Sequence, residues 1–382
     1  MTNFQVARAS RAPSREALLG IVTNVLPAPG ASVTEWDDIR LAGDLWLLAR
    51  EDFSAEERAR HASIESRLRD HLLALTTDGH LSSLKRAAVG RTLDEVGDPR
   101  DLTELVSVEE GSLWMGSERK GPVLEERPRH RINVPRFRIG RYPVTVGWWR
   151  QFVAATDFAA DARSLRGPAN HPAHDVSWHE ARDFCQWLTS AWRAAGRIGP
   201  TEVARLPSEV EWERAARGDD TREWPWGDTF DQDSSRGNTS EAGLDRTSAV
   251  GLFPQGESPY GCLDMAGNVW EWTMSLGAKN IKKTILPNKD LSFAAERFFN
   301  YPYDASDGRE DVSAPREFTR VLRGASFGNG GMLARCSSRG GNWPDVHYDN
   351  IGFRVVVQAA PPPGSRPRAR SDAGRTDAGE DQ

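Results

Sequence analysis

The sequence predicts an α+β protein in two parts, a small all-α domain followed by a larger, loop-rich domain. Three observations predict it. The 382-residue chain exceeds the usual size of a single core. Helical periodicity runs through residues 15–100, and from Val106 the pattern changes to short strands separated by turns. The composition includes 14 tryptophans and 34 glycines, which describes an irregular backbone anchored by large rigid side chains.

Residues 1–14 mix Arg, Ser, Ala and Pro without periodicity and read as disordered. Three helices follow in a domain placed at 15–104. Trp36 to Leu48 carries a broad apolar face, and Glu56 to Leu75 repeats Ala59, Ile64, Leu68, Leu72 and Leu75 at near-helical spacing. Leu84 to Val96 forms the third, stopped by Gly97 and Pro99. The run from Ala87 to Arg100, and Leu41-Ala42-Gly43-Asp44-Leu45, resemble HEAT-type repeats. Such helix pairs stack into interaction surfaces, which implies an adaptor for a signalling partner; a plain structural cap is the other reading.

The second domain is placed at 105–358. Val106–Val108 with Ser112–Gly116 reads as a hairpin around Glu110-Gly111, and Arg131–Val134 with Phe137–Gly140 as another around Pro135. Ser177-Trp178-His179-Glu180 and Ser208-Glu209-Val210-Glu211 are Ser-x-x-Glu capping boxes that each open a helix. The remainder reads mostly as loop, and 359–382, starting near Pro361-Pro362-Pro363, as a disordered tail.

A net charge of −6 argues against a nucleic-acid binder, which needs clustered Lys and Arg. With neither an apolar run of about 18 residues nor a signal-peptide pattern, the expectation is a cytoplasmic protein with no membrane partner. Cys185, Cys262 and Cys336 stand far apart, giving neither a CxxC knuckle nor a disulfide framework.

Along this second domain, Gly116-Ser117, Pro143-Val144-Thr145, Pro172 to Trp178, Arg205 to Glu213, Gly267-Asn268-Val269-Trp270-Glu271-Trp272, Arg323-Gly324-Ala325-Ser326-Phe327 and Asn350-Ile351-Gly352-Phe353-Arg354 resemble, in order, the formylglycine-generating enzyme family. The resemblance covers roughly 250 residues and implies a C-type-lectin-like fold, in which Trp212, Trp270 and Trp272 are core anchors. Catalytic members hold copper with two cysteines near the C-terminal end, a soft ligand pair; that segment here has Cys336 alone. The sulfoxide synthases of the same fold use a His-x3-His-x-Glu iron site, which the spacing of His61, His71 and His80 does not reproduce. His171 and His174 belong to the structural motif instead.

From Arg323 to Arg354 the chain looks like the variable region of diversity-generating retroelement target proteins, with Arg335, Arg339, Pro344-Asp345 and Asn350 to Arg354 as framework. The resemblance implies that the positions between them form a diversified ligand surface: Gly328, Asn329, Gly330, Ser338, Gly340, Gly341, Trp343, Val346, His347, Tyr348 and Asp349. All but Trp343 are reachable by randomising the adenines of an AAC codon; Trp343 and Met332 are either fixed or derive from a different template codon. Mixed aromatic, small and polar groups suit recognition of a protein ligand. Framework Arg335, Arg339, Asp345 and Asn350 are suited to holding the loop backbone. Ordinary loops of an inert family member remain the alternative.

Family members also hold calcium around Gly-Asn-x-Trp-Glu-Trp, which implies Asn268 and Glu271 as ligands. A second family site matches Asn238 but has Ala242 where an Asp aligns. The reading that follows is a non-enzymatic display protein with no required cofactor, calcium being optional. An oxygenase or sulfoxide synthase, and a sensor module in a signalling system, are the alternatives.

Overall fold

The computed structural model describes residues 14–28, 36–77, 81–119, 126–230, 232, 235–285 and 291–359. The disorder expected at both ends lies outside these residues, except at its inner limits. There Ser14 accepts a hydrogen bond from the Ala17 amide and caps the first helix. The chain separates into two compact units, Met1–Arg100 and Asp101–Gln382.

The first unit is helical, with α1 Arg15–Val25, α2 Trp36–Arg50, α3 Ala55–Arg60, α4 Ala62–Thr77 and α5 Ser83–Val96. The single helix expected over 56–75 is two, broken at His61, whose ring stacks on Phe53. Val22, Ile39, Trp46, Leu68, Leu72 and Leu93 form the core. Gly43 lets α2 approach α5: a Cβ there would lie 2.5 Å from Thr92 Cγ2.

The second unit opens with β1 Leu105–Val108, β2 Gly111–Met115, β3 His130–Val134 and β4 Phe137–Gly140. These strands fall where the sequence places them, but their partners differ. β1 pairs with β4 and β2 with β3, both antiparallel and in one continuous register, so the four strands make one long hairpin broken in its middle. Pro135, lacking an amide hydrogen, sits at the break, where the ladder cannot continue.

Helix α6, Val146–Thr156, was not expected from the sequence; Thr145 caps it by accepting from the Trp148 amide. Helices α7, Trp178–Ala194, and α8, Glu209–Arg217, begin at Ser177 and Ser208, and both capping boxes form. The remaining strands are β5 Glu202–Arg205, β6 Trp270–Ile285, β7 Leu291–Phe298, β8 Phe318–Arg323, β9 Gly340–Asn342, β10 Ile351–Phe353 and β11 Val356–Ala359. One sheet runs β1-β4-β11-β5. A second runs β10-β6-β8-β9, with β7 also paired to β6. Trp148, Trp149, Trp178, Trp192 and Trp272 fill one core and Trp212 another, while Trp270 is only partly buried. No helix among the described residues is long and apolar enough to cross a membrane.

Candidate recognition surface

The segment from β8 to β10 leaves the sheet at Gly324 and Ala325, both in the left-handed region. Ala325 holds φ 61° without being glycine, a conformation that costs on the order of 1 kcal/mol. The next turn centres on Asn329. Its Oδ1 accepts from the Trp270 indole at 2.8 Å, from the Ser326 hydroxyl at 2.7 Å and from the Ser326 amide at 3.1 Å. Asn350 Nδ2 donates to the Ser326 hydroxyl, closing the turn onto the start of β10.

Beyond this turn the main chain is clamped by ion pairs in the interior. Glu241 accepts from the Gly331 amide. Arg335 donates from both terminal nitrogens to Glu126, at 2.8 and 2.9 Å, and from Nε to the Met332 carbonyl. Arg323, paired with Glu213, donates to the carbonyls of Ser337 and Ser338. Arg339 binds Glu209 with two nitrogens. Burial alone would raise the Glu209 carboxyl, but Arg339 and Arg323 prevail and hold it below the usual range. Planar guanidiniums satisfy carboxylate and carbonyl oxygens together, which suits them to an interior without regular secondary structure.

The last stretch lies along the start of α7. The Trp178 amide donates to the Pro344 carbonyl, the Asp175 amide to the Tyr348 carbonyl, and His347 Nε2 lies 2.7 Å from Glu180. Beside it runs the loop holding Asp161 and Arg163. The Arg163 side chain holds the Asp161 carboxyl down to about 2, and His347 adds to the effect. Sequence reasoning missed Asp161, Arg163, His179 and Glu180 as rim residues, because they lie far from the variable segment in the chain.

Placed on this frame, the candidate positions divide. Gly328, Gly341, Tyr348 and Asp349 are exposed, Tyr348 by half of its surface. A Cβ on Gly328 would meet nothing within 4 Å. Gly330, Gly340, Trp343, Val346 and His347 are intermediate. A Cβ on Gly340 would press on the Trp270 ring, and Val346 packs against the main core. Two expectations need correction. Ser338 is 1% exposed and faces the interior, and the Asn329 side chain is consumed within the turn, so neither is a display position. Among the framework residues, Asp345 pairs with His179 and Arg316 rather than with loop backbone.

The side chains named for calcium have partners within the protein. Glu271 is bound through both oxygens by Arg354 and accepts from the Trp212 indole, so its charge is already neutralised. Asn268 Oδ1 accepts from the Ser248 amide, and its Nδ2 donates to the Ser248 carbonyl. The two side chains are thus engaged with different partners.

The three cysteines are free and buried. Burial pushes the Cys336 thiol up to about 12 and the Cys262 thiol to about 11, against thiolate formation. His171 Nδ1 lies 3.0 Å from the Thr247 hydroxyl, while His174 pairs with Asp175. In the helical unit, His71 Nε2 contacts the Pro27 carbonyl, and His80 lies outside the described residues.

The inactive C-alpha-formylglycine-generating enzyme 2 of Bos taurus is 33% identical over 236 residues, covering 58% of this chain and 60% of that protein. The chain therefore spans less than two thirds of that relative. The formylglycine-generating enzyme of Mycobacterium tuberculosis is 34% identical over 224 residues, covering 45% of this chain and 74% of that one. The solved structure of Treponema denticola variable protein 1 matches with a TM-score of 0.48 at 19% identity, covering 66% of this chain and 94% of that one. The model of the sulfatase-modifying factor enzyme 1-like domain matches residues 93–359, and on that match, which spans most of its length, the chain belongs to this family.

Proposed function

We propose that the second unit is a non-enzymatic binding domain that displays a diversified surface between Arg323 and Arg354 to a protein ligand, as the target of a diversity-generating retroelement. The observation that carries this reading is the separation of side chain from main chain. Tyr348, Asp349, Gly328 and Gly341 face outward on a segment whose backbone is fixed by the Arg323, Arg335 and Arg339 clamps. Exposed positions on such a frame can change without cost to the fold, and tyrosine among small residues is the composition of adaptable binding loops. The helical unit would join this domain to a second protein. Free cysteines suit a reducing, cytoplasmic setting.

The test is to sequence the surrounding locus. A nearby reverse transcriptase gene, with a near-copy of the coding segment for 323–354 that differs at adenines, is the expected result. Absence of such a copy would sink the retroelement reading.

An enzymatic reading rests on kinship with the Mycobacterium tuberculosis enzyme. Against it, the copper-binding thiol pair is reduced to Cys336, a buried thiol kept protonated. Incubating the protein with copper and a cysteine-containing peptide separates the two: aldehyde formation would establish the enzyme, and unchanged peptide is expected.

A further inference from the structure

The helical unit has an apolar face that its own core does not use. Helix α2 turns Ile39, Ala42, Trp46 and Ala49 inward and sets Gly43 against Thr92 of α5. Leu41, Leu45 and Leu48 follow one another at i, i+4 and i+7, and at about 100° per residue they lie on the side of the helix opposite Gly43. Leu41 is 40% exposed and Leu48 62%, while Leu45 is half-buried. Single exposed leucines are common; three aligned on the outer side of a helix whose inner side is already packed describe a contact surface.

Acidic side chains stand beside this stripe. Asp37 precedes Leu41 by one turn and Asp44 follows it by one, while Glu51 and Asp52 follow Leu48 just past the end of the helix, and all four are exposed. Between residues 36 and 52 the bases are Arg40 and Arg50. Arg40 pairs with Asp44 at 2.7 Å, and Arg50 is turned to the Glu95 carbonyl near the end of α5. The carbonyl end of α2 adds negative potential beside Leu48. Two copies meeting on this face would bring their acids together, so charge disfavours self-pairing and favours a partner with Lys or Arg beside its apolar side chains. The stripe runs about 10 Å along the axis, matching the i, i+4, i+7 anchors by which one helix seats another.

We propose that the face of α2 carrying Leu41, Leu45 and Leu48 docks an amphipathic helix of a second protein, whose apolar side chains meet the leucines and whose Lys or Arg side chains meet Asp37, Asp44, Glu51 and Asp52. The proposal rests on the adaptor reading of the helical unit and gives it a surface and a partner class. It is independent of whether the displayed positions are diversified.

The experiment titrates the full chain into two short fluorescent helical peptides that share one leucine stripe, flanked by lysines in the first and by glutamates in the second, and reads anisotropy. The lysine peptide should bind saturably, and about tenfold or more tighter than the glutamate peptide. Leu48→Gln should weaken that binding about tenfold or more, with circular dichroism unchanged. Should that variant fail to fold, Leu41→Gln carries the same comparison. Binding of the lysine peptide that is indifferent to the leucine variants overturns this surface without touching the adaptor reading. Equal binding of the two peptides, or none, overturns the basic partner. A dimer in sedimentation velocity that Leu48→Gln dissolves would make the occupant a second copy, and peptide binding gained only on removal of residues 1–13 would make it the chain's own first residues; either result overturns the proposal.

Discussion

The Trp270 indole donates a 2.8 Å hydrogen bond to Asn329 Oδ1, and that oxygen also accepts from the Ser326 hydroxyl and amide. One carboxamide oxygen thus organises the turn by which the chain enters the segment between Arg323 and Arg354. Asn329→Ala should leave several donors unanswered and destabilise the protein by about 2–3 kcal/mol in chemical denaturation. A loss under about 0.5 kcal/mol would return Asn329 to the display set.

Tyr348→Ser and Asp349→Ser should behave in the opposite way. Both residues are exposed and their backbone is held by neighbours, so each change is expected to alter stability by less than about 0.5 kcal/mol. Equilibrium unfolding of the two variants and of the double mutant checks this, and a large loss in any of them would contradict a separable display layer.

Glu271 and Arg354 form a fully buried pair, with the Trp212 indole as third partner. Removing one charge strands the other, and Glu271→Gln should cost about 3–5 kcal/mol. Because this carboxylate is bound by arginine, the loss should be the same in excess calcium and in EDTA. A calcium-dependent difference would restore Glu271 as a metal ligand.

Burial raises the Glu310 carboxyl to about 7, against the hydroxyl donors Ser275 and Tyr303. The folded value lies above the unfolded one, so the protonated form contributes stability that is complete below the ordinary carboxylate range. That contribution is lost as pH climbs through about 7. Glu310→Gln, which mimics the protonated acid, should flatten Tm between pH 5 and pH 8 relative to wild type and exceed it at about pH 8. Parallel Tm profiles for the two proteins would refute the assignment.

Gly43→Ala tests the helical unit by itself. A methyl group placed 2.5 Å from Thr92 Cγ2 must push α2 from α5, and a loss of about 1–3 kcal/mol is expected from overpacking. Unfolding of a fragment spanning residues 1–100, followed by circular dichroism, provides the reading; an unchanged midpoint would mean that Thr92 simply rotates away.

Much of the fold was legible because its signals are local. The Ser177 and Ser208 boxes are complete within four residues each, and the helical unit declares itself by apolar spacing. Pairing was less legible. β1 and β2 lie next to each other in sequence, so a short hairpin is the natural reading, whereas Pro135 interrupts a longer ribbon that only the partner strands reveal. Helix α6 escaped because Val146-Gly147-Trp148-Trp149 carries little helical propensity and is held by burial of its tryptophans. At the surface, the register of fixed and candidate positions could be read along the chain. It could not show that Asn329 faces an indole across the turn, or that Ser338 points inward.

The place of β11 has a consequence for synthesis. This last strand lies between β4 and β5, so the sheet begun by the first strand of the domain is completed only by Val356–Ala359. A nascent chain interrupted anywhere in the display segment leaves β4 and β5 without their common neighbour, and Arg354 is missing from Glu271. Chains truncated before Val356 are therefore expected not to complete this sheet, which circular dichroism and limited proteolysis of such a truncation would check.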